Sequence, residues 1–183
     1  MRIIAGKYGM RKLASPKGDA IRPTSDKIRG SIFNSLASRM DLNGVRVLDL
    51  YCGSGALGLE ALSRGATYVH FFDNSRDSIS LAKFNAETLT TLWDCTFTYG
   101  DSSKLKANTG KAFDLFFCDP PYDKGLIIPT LKSLHEGGWL HKDAVGVLET
   151  EKSWNDRLPK EYAALQEKEY GDTKISYVEY QGA

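Results

Sequence analysis

The chain has 183 residues, 42% hydrophobic and 26% charged, which is the balance of a single globular domain with a real core. No apolar run approaches the roughly 20 residues that span a bilayer, and "MRIIAGKYGMRK" holds too short an apolar patch for a signal peptide, so a soluble, cytoplasmic protein is expected. The net charge of +1 hides a basic front: residues 1–30 carry eight basic residues against two acids (+6), and the remainder 16 against 21 (−5), which points to a polyanionic partner.

The elements follow in chain order. Residues 1–23 hold short alternating pieces broken by Gly6, Gly9, Pro16, Gly18 and Pro23, a pattern that predicts a small, basic β extension. A helix is expected over 24–40, capped by Thr24 or Ser25, with Asp26 at its positive end and Ile28, Ile32, Phe33 and Leu36 on one face. Strands are then expected at 45–51, 67–73, 94–100, 112–118 and 144–150. Helices alternate with them at 55–65, 75–89 and 125–138. Two last strands turn about Gly171-Asp172. Alternating strands and helices with apolar central strands mean a parallel sheet covered on both faces. The final hairpin adds an antiparallel strand, giving a mostly parallel, seven-stranded α/β sheet. The whole chain reads as one domain, with the catalytic core over 44–183.

The first strand runs directly into "LDLYCGSGALGLE", where Gly53, Gly55 and Gly58 stand at GxGxxG spacing. Asp73 ends the next strand 20 residues after Gly53. That spacing satisfies a dinucleotide fingerprint, yet two acids favour S-adenosylmethionine over NAD. Asp49 ends the first strand, where it can attract a cationic amino acid group and would repel a pyrophosphate. Asp101 follows the third strand, where an adenine amino group needs an acceptor. Asp73 can accept from ribose hydroxyls. Tyr51, Asn74 and Ser102 complete the candidate cofactor site with Asp49, Gly53, Gly55, Asp73 and Asp101. Three cysteines without CxxC spacing (Cys52, Cys95, Cys118) and three histidines argue against a metal site and for reduced thiols.

The fourth strand stops on Asp119-Pro120-Pro121-Tyr122. Two prolines remove two backbone donors and leave their carbonyls, so this turn is rigid and rich in acceptors. Asp119 and the Pro120 carbonyl can accept both hydrogens of an exocyclic amine while Tyr122 offers a face for stacking, worth about 1–3 kcal/mol. These four residues are the catalytic candidates. Positioning and electrostatics would carry most of the rate.

At these residues the chain resembles the class I methyltransferases that modify exocyclic amines of bases. "RIIAGKYGMRKL", "RPTSDKIRGSIFNSL", the glycine-loop block, "DPPY" and "YGDTKISYVEY" are similar, in order and over nearly the whole chain, to the bacterial RsmD-type 16S ribosomal RNA guanine-N(2)-methyltransferase family. The resemblance implies a Rossmann-like fold, S-adenosylmethionine as methyl donor, and a guanine of the small ribosomal subunit as acceptor. A monomer that needs neither metal nor membrane is expected. Arg2, Lys7, Arg11, Lys12, Arg22 and Thr24 are the candidate RNA contacts. The chain departs from the family at Gly30, where members usually carry an acid. The alternatives are a DNA adenine amino-methyltransferase, against which stands the lack of an inserted recognition domain, and a non-catalytic RNA-binding assembly factor, against which stands the intact acid set at 49, 73, 101 and 119. An NAD oxidoreductase comes last, because no hydride-transfer site appears.

Overall fold

The structure is a computed structural model that describes residues 1–18 and 24–182. Five strands form the parallel part of one sheet: β1 (Arg46–Leu50), β2 (Tyr68–Asp73), β3 (Cys95–Tyr99), β4 (Phe113–Cys118) and β5 (Leu140–Glu151). The closing hairpin, β6 (Tyr162–Tyr170) and β7 (Thr173–Tyr180), slots β7 antiparallel against β5, so the order is β3-β2-β1-β4-β5-β7-β6. The expected seven-stranded, mostly parallel sheet is therefore present. Its strand order reverses between β1 and β4, and the carboxyl edge at such a switch point is where open α/β sheets bind ligands.

The period of two along each strand builds two cores. Val47, Phe71, Phe117, Val147 and Tyr177 face a layer made by α1 (Asp26–Ala37), α2 (Ala56–Ser63), α3 (Arg76–Thr88) and the front of the chain. Leu48, Leu50, Phe116, Cys118 and Leu148 face α4 (Ile127–Glu136) through Ile127, Leu131 and Leu134. Among the described residues, no helix is long and apolar enough to cross a membrane.

Helix α1 starts at Ser25, whose hydroxyl accepts from Ile28 N at 3.2 Å. Its inner face is Arg29, Ile32, Phe33 and Leu36, and the expected Ile28 is only partly buried. A whole guanidinium thus takes the place assigned to an aliphatic side chain. Gly30 is the next residue, and a Cβ there would meet only Ile4 Cδ1, at 3.8 Å. Gly30→Ala should therefore raise stability by about 0.5–1 kcal/mol through the lower entropy of the unfolded chain, and a urea titration checks it.

The front of the chain is less regular than its sequence suggests. In place of a β extension, the described residues hold one isolated antiparallel bridge, Arg2 to Lys12, closed around a series of turns. Inside it Ile3 N donates to Arg11 O and Leu13 N to Met1 O, and the bonds that tie it to the rest of the fold go to helices. Ile4 N and Ala5 N donate to Glu60 Oε2 and Oε1 at 2.8 and 3.1 Å, and Tyr8 N donates to Ser63 Oγ at 2.9 Å. Asn85 on α3 exchanges two bonds with Ala14 and donates a third to Ser54 O. Ile3, Tyr8 and Leu13 are buried in the core beside α1.

Candidate active site

The carboxyl edge of the sheet collects the acids. Asp49 leaves β1 2% exposed, and its Oδ2 accepts from Gly58 N at 2.9 Å. Burial, partly offset by that bond and reinforced by Asp73, pushes its carboxyl up to about 8. A buried carboxyl of this kind holds its proton until a cation arrives. The loop that follows is bent by two left-handed glycines, Gly53 (φ 53°) and Gly55 (φ 78°). Space beyond Gly53 is open, whereas a Cβ on Gly58 would sit 2.5 Å from the Phe71 ring. The first position thus leaves room for a ligand, and the other lets α2 pack on the sheet.

Asp73, at the end of β2, builds this loop as well as facing it. Its Oδ2 accepts from Gly53 N at 3.0 Å and its Oδ1 from Ser75 N at 2.9 Å. Each oxygen retains a second lone pair, so the ribose role assigned to it has to be shared with the loop. Tyr51 holds φ at 60°, a costly conformation for a side chain with a Cβ, and its hydroxyl bonds to Thr130 Oγ1 of α4 at 2.7 Å. Burial raises its phenol, and Cys118, Asp101 and Asp73 lie near enough to add to that. Asp101 is exposed, and its Oδ1 accepts from Ser103 N at 2.9 Å and Ser103 Oγ at 2.6 Å, which lowers its carboxyl. Next to it Ser102 is 1% exposed, and its Oγ has no partner among the described residues. Asn74 is exposed.

The Asp119-Pro120-Pro121-Tyr122 turn leaves β4 one strand away. Pro120 is buried and Asp119 partly so, while Tyr122 is 38% exposed with its hydroxyl 2.9 Å from Thr173 Oγ1 of β7. Asp119 lies well above the ordinary carboxylate range, first through burial and then through Glu149 and Asp49, against the lowering effect of the Thr24 hydroxyl. Thr24 Oγ1 donates to Glu149 Oε2 at 2.8 Å. This hydroxyl, expected on RNA, is thus turned toward the acids. Pro120, Pro121, Glu149, Thr150 and Trp154 help line a cleft of about 210 Å³.

Nearly the whole chain, residues 1–179, matches the family described as conserved hypothetical protein 95. The ribosomal RNA small subunit methyltransferase D of Escherichia coli K12 is 32% identical over 99% of this chain and 89% of its own. Its namesake in Haemophilus influenzae Rd is 34% identical over 99% and 93%. The chain belongs to the RsmD family. The solved Escherichia coli protein yhhF superposes with a TM-score of 0.87 at 31% identity, covering 100% of this chain and 99% of that one. The resemblance read from the sequence blocks is borne out.

Within this RsmD-family chain, Asp49, Tyr51, Gly53, Asp73, Asp101 and Asp119 come to one edge of the sheet. Of the RNA candidates, Thr24 reaches that edge through its bond to Glu149. Arg2, Lys7, Arg11 and Lys12 are exposed on the front turns. Arg2 lies 3.5 Å from Asp26, and an Arg11 guanidinium nitrogen donates to Thr88 O at 3.2 Å. Arg22 lies outside the described residues. Sequence reasoning missed Glu149. The available signal was an acid at the carboxyl end of the strand beside β4.

Proposed function

We propose that the protein transfers a methyl group from S-adenosylmethionine to the exocyclic 2-amino group of a guanine in 16S ribosomal RNA of the small subunit. The observation that carries this reading is the Asp119-Pro120-Pro121-Tyr122 turn at the carboxyl end of β4, beside the Asp49 end of β1 and its glycine loop. The names of the relatives support methylation of small-subunit ribosomal RNA. The residues present fit the cofactor: open space over Gly53, a buried acid at 49 beside the glycine loop, acids at the ends of β2 and β3, and an unpartnered Ser102 hydroxyl beside the last of these. Asp49 would face the amino group, Asp73 the ribose and Asp101 with Ser102 the adenine. When bound, S-adenosylmethionine supplies an electrophilic methyl group.

The protein's own part is to hold the amine. Asp119 and the Pro120 carbonyl accept its two N–H bonds and draw the nitrogen toward tetrahedral geometry, which localises its lone pair. Tyr122 stacks on the base. Asp119 can take the proton that the methylated amine sheds and pass it to solvent. The exposed cations of the front turns would contact phosphates, a binding mode that weakens with salt. A ribosomal RNA substrate implies a cytoplasmic enzyme.

Incubation with labelled S-adenosylmethionine and small subunits, naked 16S rRNA or DNA, followed by nucleoside analysis, tests the reading. N2-methylguanosine in the rRNA is the expected product, and N6-methyladenine in DNA as the sole product overturns it. Cofactor binding carries its own prediction. Because Asp49 sits at about 8 when unliganded, it is mostly protonated at pH 7. A cationic amino group lowers that value, so binding at pH 7 should release close to one proton; at pH 9 Asp49 is already ionised and the ligand's own amino group, largely neutral there, has to regain a proton, so release gives way to uptake. Calorimetry in buffers of differing ionisation enthalpy measures the difference; equal release at both pH values would refute it.

A further inference from the structure

Glu149 has no part in the chemistry above, yet it stands in the same row as the residues that do. Parallel register pairs Asp49 with Phe117 and Phe117 with Val147. Two residues on, along the same face of the sheet, come Asp119 and Glu149. Three carboxyls thus line one face of β1, β4 and β5 at the carboxyl edge, under the start of α1. Thr24 has one hydroxyl proton for the two acids it faces, and donates it to Glu149. Of the three, Glu149 also lines the cleft of about 210 Å³ beside Pro120 and Pro121. The row is an excess of acceptors awaiting donors.

We propose that Glu149 selects guanine: it accepts guanine N1–H while Asp119 accepts from the adjacent 2-amino group. The inference rests on the methyl-transfer reading above and names what makes it specific. Among the bases that carry an exocyclic amine, guanine alone presents a ring N–H beside it. Adenine presents the N1 lone pair beside its amine and cytosine the N3 lone pair. Opposite either lone pair an ionised carboxylate is repelled and left unsatisfied, because it can only accept. A site built to hydrogen-bond an N–H rejects an analogue lacking it far more strongly than an apolar pocket rejects a missing methyl. The two crowded acids, both raised when nothing faces them, are each satisfied as carboxylates once guanine enters with its two adjacent donors.

The test uses small subunits reconstituted with 16S rRNA that carries guanine or 2-aminopurine at the mapped methylation site. The analogue keeps the 2-amino group and loses N1–H. The full-length protein should favour guanine by about 10- to 100-fold in kcat/KM. Glu149→Gln can turn its amide N–H₂ toward the analogue's bare N1, so activity on guanine should fall by a similar factor while activity on 2-aminopurine holds or rises. Glu149→Asp should lose rate but keep the preference. Thermal melts and cofactor affinity within a few fold of the parent identify variants that remain folded. Equal losses on both bases in Glu149→Gln, or a parent enzyme indifferent to the substitution, overturn the role of Glu149 and leave 2-amino methylation standing. If no particle yields any N2-methylguanosine, the methyl-transfer reading itself fails and this inference falls with it.

Discussion

Asp119→Ala lowers the rate of methyl transfer to small subunits by about 10²–10³-fold, the usual consequence of deleting one preorganised group that stabilises developing charge. Cofactor affinity stays within a few fold. The split follows from the geometry. Asp119 faces Glu149, Thr24 and Asp49, whereas the glycine loop is held by Asp49 on Gly58 N and Asp73 on Gly53 N. Single-turnover rates and equilibrium binding of S-adenosylmethionine measure the two effects separately. Full activity in the variant would remove the role given to the turn.

What could be read from the residues divides along physical lines. The strand–loop–helix frame was legible because apolar runs of strand length alternate with amphipathic helices, and because Gly53, Gly55 and Asp73 stand at fixed spacing. Acids that end strands were legible one at a time, since a strand end in such a sheet lies at the ligand edge. Pairings across the sheet were not. That Glu149 stands beside Asp119 depends on the register of β4 with β5, which no local pattern encodes. Arg29 hid for a related reason. Helix periodicity ranks residues by polarity, and a buried guanidinium is set by its partners. Glu60 was the more visible clue: every residue of α2 is buried, and a charge in such a helix has to be paired. The front turns were misread as strands because alternation in short pieces also suits a chain that tucks every few residues into a core.

That front segment carries the other large expected effect. Deleting residues 1–14 should leave the protein unfolded or aggregated at 37 °C, although the glycine loop and the catalytic turn lie beyond the cut. Ile3, Tyr8 and Leu13 leave the core, each at about 1.5–3 kcal/mol. Glu60, fully buried, loses the two backbone donors it holds from Ile4 and Ala5 and keeps Arg64 Nε at 2.8 Å, with Arg29 Nη1 4.0 Å away. Arg29, also fully buried, loses the Arg2 carbonyl at 2.8 Å and retains Asp26. The sum is on the order of the whole stability of a domain this size. Glu60→Ala should cost about 3–5 kcal/mol, since it leaves the N–H groups of Ile4 and Ala5 without their acceptor and takes away the carboxylate that pairs with Arg64 and lies 4.0 Å from Arg29 Nη1. Truncation therefore cannot ask whether the front of the chain binds RNA. Neutralising the exposed Lys7 and Lys12 can. Neither side chain is buried, so the double alanine variant should melt within a few degrees of the parent and bind small subunits more weakly, with a shallower dependence on salt. A truncated chain that melts like the parent would refute the structural role; a double variant with unchanged affinity and salt slope would refute the contact with RNA.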